Sequence, residues 1–227
     1  MTLPDARAFI QRHTVPDRPG LTPELTLHLA TDVTPLWTAT QDFLDQHGLE
    51  PPFWAFAWPG GQALARLLLD QPELVRGRSV LSFAAGGGIE AIAAARAGAA
   101  RVLANDIDPL ALTACDLNAG LNGVTLTVCG DDLLAGALPS GWESPEIILA
   151  GDVCYDRGMA ARVIPWLRQR AEAGAVVLMA DPGRAYLPQE SLTSGHLRSV
   201  AVYTVPTSRA VEDEEHRETH VFQWLCF

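Results

Sequence analysis

The strongest constraint on the fold is an alternation of short apolar runs with helical patterns that begins near residue 58. Runs typical of buried strands occupy residues 79–84, 101–105, 124–129, 146–150 and 175–180. Helical patterns over residues 61–70, 88–97, 109–121 and 158–173 lie around and between them. Strands that alternate with helices form a parallel sheet whose two faces are covered by helices.

The sequence breaks this alternation at its end. Residues 197–205 and 219–227 are both strand-like, and the polar, acidic stretch 207–217 between them has no helical pattern. Two successive strands form an antiparallel pair. We therefore predict an α/β fold with a Rossmann-like, seven-stranded, mostly parallel sheet, an antiparallel C-terminal hairpin and helices on both faces.

The first 58 residues have a different texture. They contain prolines at positions 4, 16, 19, 23, 35, 51 and 52, and short helical patterns over residues 5–14 and 35–48. These features predict an N-terminal helical cap over residues 1–58, attached to one main domain over residues 59–227.

The charge of the chain limits its partners. Sixteen basic and 27 acidic residues give a formal net charge of −11, which repels phosphate backbones and attracts a basic protein or a small cation. The four cysteines form no CxxC pair, which favours a reducing compartment. No secretory signal or membrane-length apolar run is present in the sequence. We expect a cytoplasmic protein that binds neither nucleic acid nor membrane.

A glycine-rich turn follows the first predicted strand of the sheet. The run Ala84-Ala85-Gly86-Gly87-Gly88 joins this strand to a helix, at the strand end where open α/β sheets bind ligands. Asp106 ends the next strand, 20 residues beyond Gly86, which is the spacing of an acid that binds ribose hydroxyls. A structural turn with a surface acid is the alternative, but the pair favours a nucleoside cofactor.

The turn also fits a dinucleotide fingerprint, Gly86-x-Gly88-x-x-Ala91, so a dehydrogenase is a rival interpretation. The C-terminal hairpin argues against it, as does the run Asp106-Ile107-Asp108-Pro109. The sequence also has no Tyr-x-x-x-Lys pair.

Several motifs together resemble one family. From about residue 50 to residue 185 the chain resembles class I, seven-β-strand methyltransferases, and more narrowly the electron transfer flavoprotein beta subunit lysine methyltransferases. The motifs that carry this resemblance are Pro52-Phe53-Trp54-Ala55, Trp58-Pro59-Gly60-Gly61-Gln62, Asn105-Asp106-Ile107-Asp108-Pro109, Asp152-Val153-Cys154-Tyr155 and Asp181-Pro182-Gly183-Arg184.

The resemblance implies an S-adenosylmethionine-dependent methyltransferase domain over residues 59–227. It also implies where the cofactor binds: at Trp58, Ala84, Gly86, Gly88, Asp106, Ile107, Asp132 and Asp152. Two positions depart from the family pattern. Ser82 replaces an acid that commonly helps to anchor the methionine end of the cofactor, and Ala84 replaces the first glycine.

The same resemblance also implies how the methyl acceptor, a lysine, is bound, in the part of the site that we call the acceptor side. Asp152 and Tyr155 match the Asp-x-x-Tyr motif of this lysine methyltransferase group, in which they orient the lysine and wall its pocket. Asp181 and Arg184 are candidate substrate contacts. The alternatives are that Asp152 caps a turn, that Tyr155 belongs to the core, and that Asp181 only pairs with Arg184.

Three other positions have two interpretations each. Trp58 covers the cofactor or packs in the core. Of Asp131 and Asp132, one binds the adenine amino group and the other caps the turn. His216 and His220 have a spacing that suits metal on a helix face, but a solvated loop is the simpler interpretation, and we predict no metal.

The sequence leaves three functions open. The first is methylation of lysines by a monomeric enzyme, with the electron transfer flavoprotein beta subunit as the implied substrate. The second is methylation of a small, nicotinamide-like amine. The third is a methyltransferase fold that binds without activity, which the replacements at Ser82 and Ala84 suggest.

Overall fold

The fold is given by a computed structural model, which describes residues 3–30, 52–207 and 212–226. Nine strands and six α-helices are found in these ranges. The strands are β1 (Val15–Asp17), β2 (Leu27–Leu29), β3 (Ser79–Phe83), β4 (Arg101–Asn105), β5 (Thr127–Cys129), β6 (Ile147–Gly151), β7 (Val176–Asp181), β8 (Leu197–Pro206) and β9 (His216–Trp224). The helices are α1 (Leu3–His13), α2 (Pro59–Asp70), α3 (Ile89–Arg96), α4 (Pro109–Leu121), α5 (Arg157–Glu172) and α6 (Gln189–Thr193).

The main sheet has the predicted topology. Its seven strands lie in the order β5-β4-β3-β6-β7-β9-β8. The five strands β3 to β7 run parallel to one another, whereas β9 runs antiparallel to both β7 and β8. The prediction of a mostly parallel sheet that ends in an antiparallel hairpin is confirmed.

Both faces of the sheet are buried. Val80 points into the cluster of apolar side chains formed with α2 and α3, and Leu81 points into the cluster formed with α5. Ile147 and Ile148 divide between the two clusters in the same way. Successive strand residues face opposite sides, so a strand buried on both sides reads as one continuous apolar run.

Local signals set the ends of two helices. Asp108 is the N-cap of α4, where its side chain accepts a hydrogen bond from the Leu110 amide, and Pro109 takes the first helical position. Gly98 follows the end of α3 with φ +91°, a conformation that favours glycine. Helix α5 continues through Pro165, as the sequence predicts.

The N-terminal segment differs from the predicted helical cap. It contains α1 but also the antiparallel pair β1–β2, which the sequence did not indicate, and the predicted helix over residues 35–48 lies outside the described residues. Asn118 of α4 and Asn122, the C-cap of that helix, accept hydrogen bonds from the amides of His28 and Thr26, respectively. In the described part of the chain, no helix has the length and apolar character needed to cross a bilayer.

Candidate active site

The turn after β3 has left-handed backbone at three positions at the carboxyl edge of the sheet. Ala84, Gly86 and Gly88 all have positive φ, at +52°, +51° and +83°, and Gly88 is the N-cap of α3. Left-handed backbone is easy for glycine and costs an alanine about 1–2 kcal/mol. Ala84 therefore keeps the conformation expected of the glycine it replaces.

Asp106 braces this turn from the end of β4. Its Oδ2 accepts a hydrogen bond from the Gly86 amide at 2.9 Å, and its Oδ1 accepts one from the Asp108 amide at 3.0 Å. Burial raises the pKa of the carboxyl, and these backbone hydrogen bonds oppose the rise. Ile107 beside it is 71% exposed. An anchored carboxylate next to an open apolar side chain suits a ribose and a base.

Two side chains of α4 hold the turn from below, and the sequence analysis missed both. The Cys115 thiol donates to the Gly86 carbonyl at 3.2 Å, and the Asn118 amide donates to the Gly87 carbonyl at 2.8 Å. Cys115 and Asn118 are each about 30 residues from the glycine that they contact, so no local sequence motif predicts these contacts.

Asp152 lies directly after β6 and is buried. It has φ +55°, and its Oδ2 accepts hydrogen bonds from the amides of Gly60 and Gly61 at 2.5 and 3.3 Å. The carboxylate thus sits on the N-terminus of α2, where helix amides and the helix dipole favour negative charge. Burial raises its pKa to about 6, and the charge of Arg184 opposes the rise.

The Trp-Pro-Gly-Gly motif has a steric explanation at this contact. A Cβ on Gly60 would lie 2.5 Å from the Asp152 Oδ2 and 2.6 Å from the Ala180 carbonyl oxygen. Real Cβ atoms do not approach other atoms so closely, so only glycine lets α2 reach the ends of β6 and β7.

Arg184 lies between two buried acids, Asp152 and Glu212, and we call these three residues the ionic centre of the acceptor side. Its Nη2 lies 2.8 Å from the Asp152 Oδ1 and 2.5 Å from the Glu212 Oε1. Glu212 is buried and was not singled out in the sequence. Glu212 is far from both Asp152 and Arg184 in the chain, so no local sequence motif predicts that the three residues meet.

Asp181 does not pair with the Arg184 side chain, so that expectation was wrong. Its Oδ1 instead accepts hydrogen bonds from the backbone amides of Gly183 and Arg184, at 2.7 and 2.6 Å. Asp181 is nearly fully buried at the end of β7. Its position braces the turn that presents Arg184, because a two- to three-residue reach to backbone amides is typical of an aspartate in a turn.

Aromatic rings line the same edge. Tyr155 is about half exposed, and its ring centroid lies 5.5 Å from that of Phe53, which the sequence analysis quoted only as part of a motif. Trp58 lies 6.0 Å from Phe53 and donates its indole N–H to the Phe53 carbonyl at 2.8 Å. The Arg184 guanidinium lies 5.8 Å above the Trp58 ring. Tyr155 is therefore a surface group of this edge, and Trp58 is partly buried; neither is a fully buried core residue.

Two hollows lie in the described surface near these groups. One of about 350 Å³ adjoins Trp58 and Glu212 and opens toward the β1–β2 pair. A larger one of about 600 Å³ lies beside Asp181, is lined by Leu187, Leu197 and Phe222, and does not touch the glycine turn. We associate the first with the acceptor side because it meets the ionic centre.

The remaining predicted residues lie at the margin of the site. The Asp132 Oδ1 accepts a hydrogen bond from the Leu134 amide, and its Oδ2 pairs with Arg162 at 2.7 Å. Asp132 is therefore the residue that caps the turn. His216 and His220 lie on β9, so both the helix face and the solvated loop were wrong. Among the described residues, no group of three or more metal-ligating side chains is arranged to hold a metal ion.

Comparison with known proteins places this site in a family. A family model described as ribosomal protein L11 methyltransferase matches residues 63–147. The electron transfer flavoprotein beta subunit lysine methyltransferase of Danio rerio is 38% identical over 224 residues, which cover 98% of this chain and 84% of that protein. The Homo sapiens protein of the same name is 37% identical over 212 residues, covering 92% and 78%. The chain belongs to this family.

A solved structure shows the same fold. The ribosomal protein L11 methylase of Lactobacillus delbrueckii subsp. bulgaricus superposes with a TM-score of 0.52 at 22% identity, covering 75% of this chain and 81% of that one. The protein is thus an S-adenosylmethionine-dependent methyltransferase with a Rossmann-like fold, and the dehydrogenase alternative loses its support.

Proposed function

We propose that this methyltransferase modifies lysine side chains of the electron transfer flavoprotein beta subunit. The observation that carries the proposal is that relatives named for this activity align with nearly the whole chain, including the acceptor side around Asp152. The net charge of −11 supports it, because an acidic enzyme attracts a lysine-rich surface.

The donor side follows from the turn after β3. The cofactor supplies an electrophilic methyl group on a sulfonium when it is bound. We assign the cofactor contact of this turn to the backbone at Ala84, Gly86 and Gly88, the ribose hydroxyls to Asp106 and the base to the exposed side chain of Ile107. We assign the rest of the cofactor contact to Trp58 and Asp152, since both oxygens of Asp132 are already engaged by the Leu134 amide and Arg162.

The acceptor side is organised by Asp152. The amides of Gly60 and Gly61 fix its Oδ2, so its Oδ1 is the atom that faces an incoming amine, and Arg184 shares that atom. With a pKa of about 6, the carboxyl is ionised at neutral pH and can orient the lysine. We propose that the half-exposed rings of Tyr155 and Phe53 cover the substrate lysine when it is bound, because the desolvation that they provide favours the neutral, nucleophilic form of the amine.

The position of Arg184 gives it a specific role. It is held between Asp152 and Glu212, and Asp181 fixes its backbone. We propose that Arg184 releases the Asp152 Oδ1 to the substrate lysine and keeps its two contacts with Glu212 as the substrate binds. A monomeric state, a cytoplasmic location and the absence of a nucleic-acid partner remain predictions.

The proposal is tested by incubating the enzyme with S-adenosylmethionine labelled in its methyl group and purified electron transfer flavoprotein. Peptide mass spectrometry should find the label on lysines of the beta subunit. A parallel reaction with nicotinamide and other small amines covers the alternative. Labelled small amines with an unlabelled flavoprotein would overturn the proposal, provided that calorimetry shows cofactor binding to be intact.

A further inference from the structure

Glu90 is a buried carboxylic acid with no cation to balance it. It lies in the first turn of α3, only 3% exposed, directly after the glycine turn. Among the described residues it forms no ion pair, although the chain pairs other buried acids such as Glu212. An unpaired buried carboxylate is costly to ionise, so such a residue usually marks a function.

The Glu90 carboxyl lies between the start of α2 and the strand β3. A Cβ on Gly61 would lie 3.4 Å from its Oε2, which puts the carboxyl beside the N-terminus of α2. Ser82 is fully buried in β3, where the family resemblance expects an acid. The Ser82 hydroxyl makes no well-aligned hydrogen bond within the described residues, yet it lies close enough to Glu90 to lower the pKa of that acid.

We propose that Glu90 supplies the carboxylate that position 82 lacks and binds the ammonium group of the methionine moiety of S-adenosylmethionine. In this assignment the acid stands in the first turn of the following helix instead of in the strand, and it remains close to Ser82. The ammonium group then becomes the cation that Glu90 lacks. This inference concerns only the donor side and holds for any acceptor.

The electrostatics fit a group that ionises when its ligand arrives. Burial raises the pKa of Glu90 to about 8, and the negative charges of Asp152 and Asp106 add to the rise. The free enzyme therefore holds a proton on Glu90 at neutral pH. An ammonium placed beside the carboxyl favours its ionised form, so binding releases that proton to the solvent.

The first test compares two ligands by calorimetry. S-adenosylhomocysteine carries the methionine ammonium, and 5′-methylthioadenosine lacks the whole amino-acid moiety. Glu90→Gln keeps the shape and removes the charge, so it should weaken S-adenosylhomocysteine about 10- to 100-fold and leave 5′-methylthioadenosine unchanged. The matched control is Glu146→Gln, since Glu146 accepts hydrogen bonds from Ser79 at the opposite end of β3. Equal weakening of both ligands, or none, would overturn the proposal.

Two further measurements extend this test, and the first of them needs no variant. In the unmodified enzyme, calorimetry in buffers with different ionisation enthalpies should show proton release at about pH 7 for S-adenosylhomocysteine and none for 5′-methylthioadenosine. The double variant Ser82→Asp with Glu90→Gln returns the acid to the strand and should recover most of the lost affinity. No proton release from the unmodified enzyme, or no recovery in a folded double variant, contradicts the assignment.

Discussion

The donor and acceptor sides of the site are held by different kinds of contact. On the donor side, backbone amides and carbonyls of the glycine turn meet Asp106, Cys115 and Asn118. On the acceptor side, three charged side chains from distant parts of the chain (Asp152, Arg184 and Glu212) hold one another. The donor side therefore depends on backbone conformation and the acceptor side on charge balance, and substitutions should separate the two.

The largest expected effect is on the acceptor side. Asp152→Asn keeps an oxygen for the amides of Gly60 and Gly61 but removes the charge that orients the amine. We expect kcat to fall by about 100-fold or more, because aligning the nucleophile supplies much of the acceleration. Affinity for S-adenosylhomocysteine should fall less than tenfold. A kcat within a factor of about three of the unmodified enzyme would contradict the assigned role.

The pH profile gives an independent check on Asp152. Its pKa of about 6 means that the carboxylate is lost as the pH falls through that value. The ratio kcat/KM for the protein acceptor, which reports ionisations of the enzyme before the acceptor binds, should therefore decrease on the acid side of about pH 6. The residual activity of Asp152→Asn should lack this acid limb. An identical limb in the variant would show that another group controls it.

The converse experiment weakens cofactor binding on the donor side and leaves the acceptor side unchanged. Asp106→Asn replaces the carboxylate that braces Gly86 and is assigned to the ribose. We expect the dissociation constant of S-adenosylhomocysteine to rise about 10- to 100-fold, as for the loss of charge-assisted hydrogen bonds. At saturating cofactor, kcat should stay close to that of the unmodified enzyme. A large fall in kcat at saturation would mean that the two sides are not separable.

A smaller effect should follow when Glu212, the second acid of the ionic centre, loses its charge. In Glu212→Gln, Arg184 has only Asp152 as a charged partner, so it competes more strongly with the substrate lysine. We expect KM for the protein acceptor to rise about three- to tenfold with cofactor affinity unchanged. Glu214→Gln is the matched control, because Glu214 is exposed and contacts only Arg217 in this cluster. Equal effects of the two variants would remove Glu212 from the acceptor side.

The same division explains what the sequence could predict. The strand–helix alternation, the hairpin and Asp106 were predicted because each depends on residues within about 20 positions of one another. The pair β1–β2 was missed, since three-residue strands such as Val15–Asp17 have no readable period. Glu212 and Glu90 were missed for another reason. Glu90 is a single acid in an apolar helix and Glu212 begins a run of four acids, and in both cases only burial distinguishes the residue from a solvated acid.

The smallest effect concerns the turn itself, and it tests whether the donor side is strained. Ala84→Gly relieves about 1–2 kcal/mol of strain from the left-handed backbone. The greater freedom of glycine in the unfolded chain offsets about 0.5–1 kcal/mol of that stabilisation. The net gain in unfolding free energy should lie between zero and about 1.5 kcal/mol. Gly86→Ala, at nearly the same φ, should change stability in the opposite direction. Denaturant unfolding of both variants checks the signs. If Ala84→Gly destabilises the protein, the alanine methyl contributes packing that outweighs its strain, because Ala84 lies against the apolar cluster around Phe83 and Leu81.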